Sequence, residues 1–166
     1  NGANVIEITG TAGSTTSIER ARGFRNAVEG AKNIRILDTQ TADFSRTGAQ
    51  KVMENLYQAH GKAINIVVSQ SDEMTFGVLQ ALDGLGLTPG KDVTVVSIGD
   101  GSSAMLDEVI AGRVGAVSEC TPFLADVALE TVKSIENGET VSTNIWANDR
   151  FFTMENAAAE QKKATW

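Results

Sequence analysis

Short apolar, β-branched runs alternate with stretches of helical period along most of this chain. The first run, NVIEITG at residues 4 to 10, leads into a helix expected from about Ser17 to Gly30, with Ile18, Ala21, Phe24 and Val28 on one face. IRILDTQ (34 to 40) leads into a second helix, where Ala49, Val52, Met53, Leu56 and Ala59 follow the i, i+3, i+4, i+7 spacing of an amphipathic stripe. INIVVSQ (64 to 70) leads into a third, carrying Met74, Val78, Ala81, Leu82 and Leu85. It is closed by GLGLTPGKD, with Gly and then Pro in the order that ends helices. VTVVSIG (93 to 99) precedes a short helix with Met105, Leu106, Val109 and Ile110. VGAVSE (114 to 119) precedes a helix over 123 to 137, with Leu124, Val127, Ala128, Thr131 and Ile135 expected to face inward.

The strand runs are apolar at nearly every position, as strands buried on both faces are. Repeated β-α units require parallel pairing and right-handed crossovers. The pattern predicts an α/β fold, a doubly wound and mostly parallel sheet, in a single lobe spanning residues 1 to 166. Beyond Val141 the period is lost. NIWANDRFF predicts a short edge strand, and ENAAAEQKKATW a polar, fraying end.

Composition narrows the function classes. One ordinary core fits 166 residues, and 42% apolar content with two prolines reads as globular. No apolar run reaches the roughly 18 residues that a membrane span requires. The chain opens on NGAN and a strand-like run, not on a basic and apolar leader, so it reads as a mature product or a piece of something longer. A net charge of −7 argues against nucleic-acid partners, which need clustered Lys and Arg. Cys120 is the single cysteine, so no intrachain disulfide can form.

In open parallel sheets, ligands bind beyond the carboxyl ends of the strands. Those ends carry residues 11 to 17 with Arg20 behind them, then 39 to 46 with Asp43 and Phe44, then Gln70, Ser71 and Asp72, then Asp100, then Glu119. One edge thus collects a guanidinium, carboxylates, hydroxyls, an amide and a phenyl ring. Each residue also has a plain structural reading. Arg20 suits a solvated helix surface, Asp72 and Asp100 suit helix caps or turns, and Glu119 faces either the crevice or solvent. Phe44 is harder to place as surface, because apolar loop residues pack under something.

Several chemistries are excluded. His60, the single histidine, falls near the end of the second helix, away from that edge. Cys120 then has no histidine partner for a nucleophilic pair. No HExxH or CxxC pattern is present, so neither a metal nor another cofactor is expected. GTAGSTTSIERARGF, residues 10 to 24, resembles a glycine loop feeding a helix, yet it lacks the P-loop lysine and does not fit GxGxxG.

The segments GTAGSTTSIERARGFRNAV, TADFSRTGAQKVMENLYQAH, VVSQSDEMTFGVLQAL, GLTPGKDVTVVSIGDG and GAVSECTP occur in a familiar order and spacing. Together they make the chain resemble the C-terminal lobe of the type I periplasmic sugar-binding proteins of bacterial ABC importers, in the ribose and galactofuranose group. The resemblance implies a flavodoxin-like lobe, one of two that close on a monosaccharide in the periplasm before docking on a membrane permease. It implies that Arg20 contacts sugar hydroxyls, Phe44 packs on the ring, Asp100 accepts hydroxyl hydrogen bonds, and Glu119 closes the fifth strand as a polar contact. Ser71 stands where relatives commonly carry Asn, and SIGDG is one residue longer than the usual turn. No N-terminal lobe is present in these residues. The resemblance implies that the helix over 123 to 137 packs against that lobe. In this chain it is expected to fold back, to swap with a second copy in a homodimer, or to move freely. The rival reading is the effector-binding domain of a sugar-responsive transcription regulator, which shares the two-lobed architecture. An enzyme on a similar sheet is disfavoured by the lack of a histidine at the crevice.

Overall fold

In the computed structural model, residues 2–162 are described. Strands β1 (Ala3–Thr9), β2 (Ile34–Thr41), β3 (Ile66–Ser69), β4 (Thr94–Gly99), β5 (Ala116–Glu119) and β6 (Phe151–Thr153) form one sheet in the order β2-β1-β3-β4-β5-β6. The first five strands pair in parallel, and β6 joins β5 antiparallel at the edge. The doubly wound sheet and the short edge strand at NIWANDRFF are therefore as expected.

The connections are helices α1 (Thr15–Val28), α2 (Arg46–His60), α3 (Asp72–Gly84) and α4 (Ser103–Ile110). Each starts on a serine, Ser14, Ser45, Ser71 or Ser102, whose side chain accepts from the backbone N–H three residues on. These caps satisfy donors that the first helical turn leaves unpaired, and each is worth about 1 kcal/mol. The four serines thereby fix where each strand-end loop stops and its helix begins.

Right-handed crossovers decide which face each helix covers. The connections from β2 through β5 run one way across the sheet and place α2, α3 and α4 on one face. There Met53, Leu56, Met74, Leu82, Met105 and Leu106 pack with Ile6, Ile8, Val67, Val95 and Val117. Only the β1-to-β2 connection runs the other way, so α1 is the one crossover helix on the second face. Beside it lies an apolar groove of about 520 Å³, lined by Phe24, Ile66, Val68, Val96, Ile98 and Phe151 among others. Burial on both faces, expected from the strand sequences, is thus met only in part: Ile66, Val96 and Ile98 are half-buried.

Helix α5 (Ala125–Glu136) departs further from expectation. None of its residues is buried; of the expected stripe, Leu124 and Ile135 are more than half exposed and Val127 and Thr131 only half-buried, and Leu129 and Val132 are more than half exposed as well. The stripe expected to face inward has no core of this chain beneath it, so folding back is not what occurs. The segment carrying α5 leaves and returns at one corner of the sheet. Cys120 N–H donates to Gly99 O, Thr121 N–H to Asp149 Oδ1, and Glu119 N–H to Arg150 O.

The tail expected to fray also differs. Residues 157 to 161 form α6 (Ala157–Gln161), with Ala157 buried and the Gln161 amide donating to Ser103 O and Asp107 Oδ1. Small alanines let this short helix lie close to α4, which the polar composition of the tail concealed. The last four residues of that tail lie outside the described ones. Among the described residues, no helix is long and apolar enough to cross a membrane.

Gly77 marks a close approach of α3 to α2: a Cβ there would overlap the carbonyl oxygen of Arg46 at the start of α2. Gly77→Ala must push α2 and α3 apart, and should lower stability by about 1–3 kcal/mol. A fall in the urea midpoint at unchanged slope would be the expected reading.

Candidate functional site

The carboxyl ends of β1, β2, β3 and β4 surround an open depression of about 330 Å³, lined by Thr16, Arg20, Phe44, Ser71, Glu73 and Asp100. Four of the five residues singled out from sequence meet there: Phe44 and Asp100 from loops, Ser71 from the cap of α3 and Arg20 from helix α1. The larger apolar groove on the sheet face is a different place, although Arg20 borders both.

Phe44 is held in an unusual way. Asp43 and Phe44 both adopt left-handed backbone conformations, with φ of 53° and 54°. Such conformations cost of order 1–3 kcal/mol in non-glycine residues and persist only where the surroundings enforce them. Opposite the ring stands Gly10, where a Cβ would overlap the Phe44 ring itself. The glycine is needed because an aromatic ring lies against the backbone at the end of β1. The Arg20 guanidinium carbon lies 5.9 Å from the ring centroid, within cation–π range.

Arg20 Nη1 donates to the Gln70 carbonyl oxygen at 2.5 Å, which leaves most of the guanidinium's five N–H donors for other partners. Gln70 is wholly buried. Its Oε1 accepts from Gly10 N–H and Ser17 Oγ, both at 3.0 Å, and its Nε2 donates to Glu7 Oε1 and Ser17 O. Glu7, also fully buried, accepts from Arg25 Nη2 at 3.0 Å. Gln70 was noted in the sequence only as a polar strand end; nothing local in SQSD reveals that its partners lie some sixty residues back.

Ser71 caps α3 through its Oγ, which accepts from Met74 N–H, so its hydroxyl proton is the part left for a ligand. Asp72, expected at an N-cap or first turn, is in the first turn but acts across the chain. Its Oδ2 accepts from both Ser102 N–H and Ser102 Oγ at 2.9 Å, and its Oδ1 from Ser97 Oγ. Burial pushes the Asp72 carboxyl above the usual carboxylate range, against the two Ser102 donors that favour its charge. Asp72 thereby holds the loop that presents Asp100, and the additional residue in SIGDG does not remove Asp100 from the depression. Glu73, not singled out beforehand, lines the rim while its carboxylate takes two hydrogen bonds from Arg46.

Glu119 stands apart from the other four. It is buried, and its carboxylate accepts from Arg150 Nη2, Nε and backbone N–H. Neither alternative from the sequence, crevice or solvent, describes it. Arg150 comes from the segment just before β6, so the partner was not legible from the fifth strand. The Arg150 guanidinium holds the Glu119 carboxyl below its ordinary range. His60 pairs with Asp38 at 3.2 Å and does not line the depression. Among the described residues, no three His, Cys, Asp or Glu side chains gather to hold a metal ion.

Because Glu119 titrates lower in the folded chain than in the unfolded one, its pair stabilises fully above the ordinary glutamate range. That stabilisation drains away as pH falls through the folded value. Glu119→Gln should lower stability at neutral pH by about 1–3 kcal/mol. It should also flatten the acid limb of a melting-temperature profile relative to the parent; parallel profiles would contradict the pairing.

Residues 1–140 match the periplasmic binding protein domain family. A galactofuranose-binding protein of Escherichia coli K12 is 32% identical over 160 residues, covering 95% of this chain and 50% of that protein. A ribose import binding protein of Salmonella typhimurium is 40% identical over 144 residues, covering 84% of this chain and 46% of that protein. Among solved structures, the binding component of an arabinose ABC transporter from Shewanella, bound to arabinofuranose, superposes with a TM-score of 0.88 at 33% identity. That match covers 99% of this chain and 55% of the other. The chain thus spans about half the length of the curated relatives it matches. It belongs to the periplasmic binding protein domain family.

Proposed function

We propose that this chain is one lobe of the two-lobed solute-binding component of an ABC sugar importer, binding a galactofuranose- or ribose-like monosaccharide in the periplasm. The observation that carries this reading is the meeting of Arg20, Phe44, Ser71 and Asp100 in one depression at the strand ends. A guanidinium or a carboxylate bridges vicinal hydroxyls with paired hydrogen bonds, and a phenyl ring supports the apolar C–H face of a sugar. An epimer that leaves one of these groups unpaired costs about 1–3 kcal/mol, which supplies stereospecificity. The relatives are binding proteins, and the reading assigns this chain no reaction.

The second lobe supplies the opposite wall of the site and the surface against which the stripe of α5 rests. Both ends of the α5 segment are pinned at the crevice edge of the sheet, which suits a connection reaching toward that lobe. Docking on a permease belongs to the closed two-lobed form. The regulator reading gains no support from these relatives.

As half a site, the 166-residue chain should bind sugar weakly or not at all. Calorimetric titration with galactofuranose, galactose, ribose and arabinose tests this, and tight binding by the single lobe would refute it. In the full two-lobed protein, Arg20→Ala should weaken binding by about tenfold to a hundredfold with the melting temperature little changed. Gly10→Ala, which displaces the Phe44 ring, should weaken it as well; wild-type affinity in both variants would return the loop to scaffolding.

A further inference from the structure

Gln70 touches no surface that a ligand could reach, yet it sits at the junction of every element that holds Arg20. Its backbone carbonyl accepts from Arg20 Nη1 at 2.5 Å. Its side-chain oxygen accepts from Gly10 N–H, the residue on which the Phe44 ring lies, and from Ser17 Oγ in the first turn of α1. Its side-chain nitrogen donates to Ser17 O and to the buried Glu7 carboxylate. Glu7 in turn accepts from Arg25 and Thr39, so the chain of bonds runs from β2 through α1 and β1 to the end of β3. A primary amide is the one uncharged side chain that both accepts twice and donates twice, and here all four capacities are used.

We infer that Gln70 is a positioning residue for the ligand site, setting the place of Arg20 and of the Gly10–Phe44 contact by binding loop and helix to β3. This rests on the sugar-binding reading above and deepens it. The distinction from a merely structural role lies in direction. A residue that only stabilised the core would alter folding and leave ligand affinity alone. Gln70 bonds to the loop and the helix turn that carry the ligand groups, so disturbing it shifts those groups even in a folded lobe. A polar group that is this buried and fully paired fixes geometry more firmly than apolar packing does, because each displaced partner would be left unsatisfied.

Gln70→Glu tests the inference while keeping the shape. Ionised, the new carboxylate cannot donate, and it faces Glu7 at hydrogen-bond distance as a like charge; protonated, it can donate again to Glu7. The charged groups facing it are Glu7 from β1 and Arg20 and Arg25 from α1, with Asp72 two residues along. Binding is measured in the full two-lobed protein by calorimetry, with whichever of galactofuranose, galactose, ribose and arabinose the parent binds most tightly. The expected result is affinity reduced about tenfold or more near pH 8, closing to within about threefold of the parent near pH 5 as the carboxyl protonates. Gln70→Met, isosteric but unable to pair, should lose affinity equally at both pH values. Amide exchange at Gly10 in the present chain provides a readout free of ligand, and should speed up in Gln70→Met, which accepts nothing from that N–H. A folded Gln70→Glu protein with parental affinity at both pH values, or unchanged Gly10 exchange in Gln70→Met, overturns the inference. A parent that binds none of the four sugars overturns the underlying reading and this inference with it.

Discussion

Parallel pairing of β1 through β5 is the constraint on which the remainder depends. Because each connection is a helix returning along the sheet, five strands end at one edge, and four helices begin there on serine caps. Residues far apart in sequence, among them Arg20, Phe44, Ser71 and Asp100, come within one depression for that reason alone. The exposed N–H groups of those helix starts and the ends of the strands would otherwise leave a polar rim. The serines close much of it, and what remains faces the depression as side-chain chemistry.

The central strand, β3, organises this edge from both sides. Gln70 reaches back to β1 and α1, while Asp72 reaches forward to the loop before α4. One fixes the guanidinium and the aromatic platform; the other fixes the loop that carries Asp100. Both side chains are buried, and both are fully committed to neighbours, so neither competes with a ligand for its own partners. The groups left to meet a ligand are the less buried ones held one step further out. This division, buried polar groups committed to their neighbours and more exposed groups left open at the rim, gives the depression a rigid floor.

Much of this was legible in the sequence, for identifiable reasons. The order of elements followed from period alone, since apolar runs and helical stripes alternate cleanly up to β5. Strand-end reasoning found Arg20, Phe44, Ser71 and Asp100 because topology, not local detail, decides which loops meet. What escaped were pairings across sequence distance. Glu119 looks in isolation like a crevice or surface group, and only the return of β6 beside β5 brings Arg150 to it. Asp72 looks like a cap, and only the register of β3 on β4 places it under Ser102. Gly10, the first glycine of GTAGSTTSIERARGF, looks like a turn former, whereas its constraint is the Phe44 ring, thirty-four positions along the sequence.

The inward stripe expected of α5 and the two-sided burial expected of β3 and β4 share one cause. Sequence patterning records how much apolar surface an element must bury, and leaves open what buries it. Right-handed crossovers send three of four helices to one face, so this chain cannot itself cover Ile66, Val96 and Ile98 on the other. Likewise the segment bearing α5 is anchored at both ends on the crevice edge and has no apolar surface of this lobe beneath it. A free-standing domain would be expected to blunt such surfaces with polar residues, since exposed apolar patches promote association. Their retention here supports the two-lobed reading proposed above, and it is independent of any contact in the depression at the strand ends.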